Sequence, residues 1–151
     1  MTENVYVFIA DALTALGASE DTIEGVFQMT PNSWMLSFTD DTQMDISLDE
    51  DGLRLNFFAE IGPVNPDKRA AQLEAMLTFN MLSGDTGGVR IGLAAPTGNA
   101  TMISDIHATA ISTGAITANV LGLRTMAARW RDIMQNGPTQ DDFAHDNMIR
   151  V

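Results

Sequence analysis

The stretch Gly84-Asp85-Thr86-Gly87-Gly88 is spaced like the loop that presents a nucleophilic serine in serine proteases, with glycines freeing the backbone around a hydroxyl. Here the hydroxyl belongs to Thr86, neither histidine has an evident Asp partner, and 151 residues are too few for a double barrel. The same glycines could cradle a phosphate, but the Lys and Ser/Thr of a phosphate loop do not follow them. Asp49-Glu50-Asp51-Gly52 hints at a calcium loop. In that register Ser47 takes the first ligand position and Phe58 falls where a bidentate Glu is required, so the pattern reads as a solvated turn. His107 and His145 are the only histidines. His107 has Asp105 two residues earlier on the same strand face, yet a metal site needs further ligands converging from elsewhere. The expectation is no catalytic residue, no metal site, no cofactor and no enzymatic activity.

Composition narrows the partners. Eight basic residues oppose twenty acidic ones, for a net charge of −12, and the basic ones are scattered. Binding to nucleic acid or to an anionic membrane surface requires clustered Lys and Arg, so neither partner is expected. An acidic surface suits a polypeptide with basic segments. No cysteine is present, which removes disulfides and thiolate chemistry and fits a reducing cytoplasm. There is no signal-peptide pattern at the N-terminus and no apolar run of membrane-spanning length, so a cytoplasmic protein with no membrane insertion is expected.

The elements that would position any site follow from hydrophobic period. Val5, Phe8, Ile9, Ala12, Leu13 and Leu16 make one helical stripe over residues 3–16, with Gly17 placed to end it. Residues 19–29 fit a short helix or an irregular cover equally well. Then the period becomes two. Trp34, Leu36 and Phe38, then Met44, Ile46 and Leu48, then Leu53 through Ile61 alternate with polar residues across acidic turns, an antiparallel meander of three strands. Gly62-Pro63 breaks the third strand. Asn65 caps a helix beginning at Pro66, whose inner face is read as Ala70, Leu73, Leu77 and Asn80. Two or three further strands follow, around Val89–Leu93 and Met102–Ala108. Ser112 or Thr113 opens a long last helix carrying Ile116, Val120, Leu123, Ala127, Trp130 and Met134, stopped by Gly137-Pro138. The fold class is α+β in one domain over 1–137, with 138–151 an acidic flexible tail.

The order of these elements resembles the class I type III secretion chaperones, the Tir-chaperone type. Three local patterns carry the resemblance: Gly62-Pro63 after the apolar strand, Ala75-Met76-Leu77-Thr78-Phe79-Asn80 on the second helix, and Ala127-Ala128-Arg129-Trp130 near the C-terminus. The glycine loop at 84–88 and the acidic tail depart from the family pattern. The resemblance implies a homodimer that binds the extended N-terminal segment of a secreted effector polypeptide and keeps it secretion-competent without ATP. Recognition of that kind works by strand addition and apolar pockets and needs no catalytic group.

Patterning alone suggests where contacts fall. Met35 and Phe58 sit on the polar side of alternating strands, and Tyr6 and Val7 flank the stripe of the first helix, so these four are the candidate effector-binding residues. Met76 and Phe79 lie off the Leu73–Leu77 face and are the candidate dimer contacts. The same domain could instead serve as a regulatory or assembly module unrelated to secretion, or as a small-ligand domain around His107.

Overall fold

The computed structural model describes residues 2–82, 84, 86–96 and 98–137. The acidic tail expected at 138–151, and His145 with it, lies outside the described residues. The order is α1 (Thr2–Ser19), β1 (Ile23–Thr30), β2 (Ser33–Phe38), β3 (Gln43–Leu48), β4 (Arg54–Gly62), α2 (Arg69–Met81), β5 (Arg90–Leu93), β6 (Ala100–His107) and α3 (Thr113–Asn136). The strands form a six-stranded sheet of order β1-β2-β3-β4-β6-β5.

Two compact units are built from this chain, each from two segments. One comprises Met1–Phe58 and Asp105–Leu121, the other Ala59–Ser104 and Gly122–Val151. In the first, Trp34, Leu36 and Phe38 of β2 and Met44, Ile46 and Leu48 of β3 are buried, as their alternation requires. Ile9, Ala12, Leu13 and Leu16 of α1 are buried as well, while Phe8 of the expected stripe is partly exposed. In the second unit the core is Ala59 and Ile61, Met76 and Phe79, Ile91, Ala100 and Met102, and the α3 residues Leu123, Ala127, Trp130 and Met134. Full burial of each large apolar side chain contributes about 1.5–3 kcal/mol.

The meander has four strands rather than three, because residues 23–30 form β1, antiparallel to β2. Its register slips between Ile23 and Gly25 and again between Gln28 and Thr30. Those irregularities break the two-residue period, and its outer residues are exposed, so no alternation marks it in the sequence.

Gly17 does not end α1, which runs on to Ser19. Its role is spatial. A Cβ at this position would lie 2.7 Å from Val26 Cγ2 and 3.7 Å from Ile23 Cγ2, so only glycine lets the helix approach β1 this closely. Gly17→Ala should therefore lower stability by about 1–2 kcal/mol despite alanine's better helix propensity, because the overlap forces a shift in packed residues. Denaturant unfolding would measure it, and a stabilised variant would refute the close-approach account.

The junction before α2 is built as the sequence anticipates. Asn65 Oδ1 accepts from the Asp67 amide at 2.9 Å, and Pro66–Lys68 form a 3₁₀ turn that leads into the helix. At α3, Ser112 Oγ accepts from the Ala115 amide at 3.0 Å, the bond of an N-terminal cap.

Candidate functional site

The patterns that suggested chemistry resolve as local structure. Asp49 accepts from Asn56 Nδ2 at 2.7 Å, and Asp51 Oδ1 accepts from the Leu53 amide at 3.0 Å, so both carboxylates serve the β3–β4 turn. Leu53 falls in that turn rather than in the strand, and its carbonyl accepts from the Ala108 amide at 2.8 Å. Asp105 pairs with Arg54, not with His107. His107 Nδ1 instead accepts from the Thr109 amide at 3.2 Å, capping the short 3₁₀ turn at Ala108–Ala110. No cluster of His, Asp and Glu able to hold a metal ion is present among the described residues. Thr86 is buried, and its Oγ1 donates to the Val89 carbonyl at 3.1 Å in a helix-to-strand turn that Gly87 and Gly88 complete at φ 70° and 85°.

A binding surface is better supported, and it lies in the first unit. Val26 of β1 stands opposite Leu36 of β2, and directly opposed residues point to one face. Gly17 touches Val26, so α1 packs on this face. The opposite face carries Phe27 of β1 and Met35 of β2, which are Cα partners, and then Asp45 of β3 beside Met35. Asn56 reaches Asp49 across the β3–β4 turn, and Phe58, two residues on, continues the same outward row. The structure thus puts Met35 and Phe58, both half-buried, on one outward row with the exposed Phe27, with Asp45 between Met35 and Phe58. Tyr6 and Val7 are separate from it, on α1 and so on the other side of the sheet, where Val7 and Phe8 are exposed and Tyr6 half-buried.

Between these two surfaces lies the edge of β1, the end strand of the sheet. Phe27 is 50% exposed and Met29 61%. The Phe27 ring lies back over Gly25, where a Cβ would come within 2.7 Å of the ring. A side chain at position 25 would push the ring off the strand, so the glycine sets the shape of this surface. Phe27 and Met29 are not marked by hydrophobic period, because the register slips of β1 hide the strand. The available signal was a run of apolar residues, Val26, Phe27 and Met29, that matches no single buried face.

The second helix is turned the other way from the sequence expectation. Met76 and Phe79 are 4% and 1% exposed, with Phe79 edge-to-face against Trp130 at 5.4 Å between ring centroids. They are core residues and have no surface to offer a second copy. Leu77 and Met81 are 68% and 85% exposed instead. Gln72 explains the reversal. It is polar but buried, its Oε1 accepting from the Asn65 amide at 2.9 Å and its Nε2 donating to the Met134 carbonyl at 3.1 Å. A satisfied buried amide costs little. Gln72, Met76 and Phe79 therefore form the inner stripe, leaving Leu73, Leu77 and Met81 on another stripe.

The model of the Tir chaperone protein (CesT) family matches residues 23–131. The HopA1-SchA chaperone-effector complex contains a chain of like fold, 18% identical over 85% of this chain and 96% of that one, with a TM-score of 0.63. A chain of the ExsC-ExsE complex is 15% identical over 91% and 98%, with a TM-score of 0.71. The Yersinia Pestis type III secretion chaperone SycH, solved with a stable fragment of YscM2, gives 16% identity over 83% and 98% and a TM-score of 0.61. At such identities the likeness is one of fold. No curated protein matches the chain in sequence.

Proposed function

Because the chain belongs to the Tir chaperone protein (CesT) family, we propose that it is a type III secretion chaperone working as a cytoplasmic homodimer. It binds the extended N-terminal segment of a secreted effector and keeps that segment secretion-competent, by binding and without catalysis. The family match over residues 23–131 carries the reading. The exposed β1 edge supports one mode of binding. An extended segment adds its main chain along β1, beside the exposed Met29, and sets alternate side chains against the apolar groups on either face, Phe27 and Met35 on one and Val7 and Phe8 of α1 on the other. Phe58 extends the first patch and Tyr6 the second. The net charge of −12 favours effector segments that carry basic residues between their apolar ones.

For the dimer, the outward stripe of α2 is the contact we propose, with Leu77 and Met81 at its centre in place of the buried Met76 and Phe79. Two such stripes facing each other remove from water the apolar area that one protomer leaves exposed.

Co-expression with secretion substrates encoded nearby tests the function directly. A complex should purify whose limited proteolysis leaves one protected N-terminal effector segment, and light scattering of the free chain should give twice 16.3 kDa. Recovery of the effector with its N-terminal segment fully cleavable would refute the reading.

A further inference from the structure

The sheet has two end strands, β1 and β5, and the chain treats them differently. β5 pairs with β6 through Ile91 opposite Met102. In an antiparallel ladder the N–H and C=O of one residue point to the same side. The Ile91 amide donates to Asn80 Oδ1 at 2.8 Å, and Asn80 Nδ2 donates to the Ile91 carbonyl at 2.9 Å. Both groups are thus turned away from β6, and the Asn80 amide stands where a residue of an added strand would stand. Val89, two residues earlier and on the same side, is held in the same way. Its amide donates to the Thr86 carbonyl at 3.5 Å and its carbonyl accepts from Thr86 Oγ1 at 3.1 Å. By contrast, among the described residues no side chain bonds to the main chain of β1.

An unpaired edge invites strand pairing with any extended chain, including a second copy of the same protein. We propose that Asn80 and Thr86 close the β5 edge to strand addition, so that an extended polypeptide is accepted at β1 alone. They are specificity-determining residues that act through the main chain of Ile91 and Val89 and need not touch the bound segment. The proposal rests on the reading of β1 as the partner's edge, but its test uses no partner.

The test compares the wild-type chain with Asn80→Ala combined with Thr86→Val, by amide hydrogen exchange at Ile91 and by light scattering over a range of concentrations. At low concentration the variant should exchange the Ile91 amide at least about tenfold faster while core amides stay protected. At high concentration it should form species heavier than the wild-type assembly, with Ile91 protected again. Faster exchange with an unchanged mass at every concentration overturns the proposal. If the double variant does not fold, Asn80→Ala alone is read in the same way, since it removes both bonds to Ile91 and leaves the Thr86 contacts in place. Failure of that variant to fold as well makes Asn80 a purely structural residue and overturns the proposal too. A negative result here leaves effector binding at β1 standing, and loss of effector binding leaves edge closure standing.

Discussion

Trp130→Ala should lower stability by about 3–5 kcal/mol, the range for deleting a buried tryptophan or phenylalanine from a core. In a chain of this length that is a fall in Tm of roughly 6–20 °C, read by circular dichroism. Trp130 is 3% exposed and meets Phe79 edge-to-face at an interplanar angle of 77°. Such a pair adds about 0.5–1.5 kcal/mol beyond the area it buries. The two residues come from separate segments of the second unit, one on α2 and one on α3, so truncation opens a cavity that no single helix can collapse into. Trp130→Phe keeps a ring against Phe79 and should cost less than half as much. A loss below about 1 kcal/mol for Trp130→Ala would contradict this packing.

Effector binding should respond as strongly to a change that stability barely registers. Val7→Glu with Phe27→Glu places charge on both apolar surfaces that flank the β1 edge, at two exposed side chains. A segment bound there must then desolvate a carboxylate where it previously covered apolar area. Each substitution should remove about 1.5 kcal/mol or more, and tenfold in affinity corresponds to about 1.4 kcal/mol, so the pair should weaken binding on the order of 100-fold. Titration calorimetry with the protease-protected effector segment measures it, with Tm held within about 2 °C as the control. Affinity within twofold of wild type would move the site away from this edge.

How much of this was legible in the sequence depended on how many faces each element buries. α3 buries one stripe, and all of Ile116, Val120, Leu123, Ala127, Trp130 and Met134 are indeed inside. β2 and β3 bury one face each and show clean alternation. α2 has apolar residues on two stripes, and period alone cannot say which faces the core when the buried stripe contains a glutamine. β1 is an end strand with two register slips, so it lacks the alternation that identifies a strand. The candidate site suffered accordingly. Met35 and Phe58 could be picked as apolar residues on polar faces, but Phe27, Met29 and the role of Asn80 depend on strand neighbours that spacing does not reveal. Two of the three family patterns meet in the core. Phe79 of the α2 pattern and Trp130 of the α3 pattern are in contact, which gives a packing reason for both.

Neither compact unit is a continuous stretch of chain, and that has a consequence for biosynthesis. Each takes a segment from beyond residue 104: Asp105–Leu121 for one and Gly122–Val151 for the other. A nascent chain stopped anywhere before that point lacks a complete β6 and all of α3, so Phe57 and Phe79 have no complete core to enter. At about 5–20 residues per second the 32 residues (136 − 104) that complete β6 and α3 take roughly 2–6 s to synthesise. During that interval the meander has α1 to pack on it but not α3. For those seconds the apolar side chains that α3 will bury are the surface most exposed to aggregation.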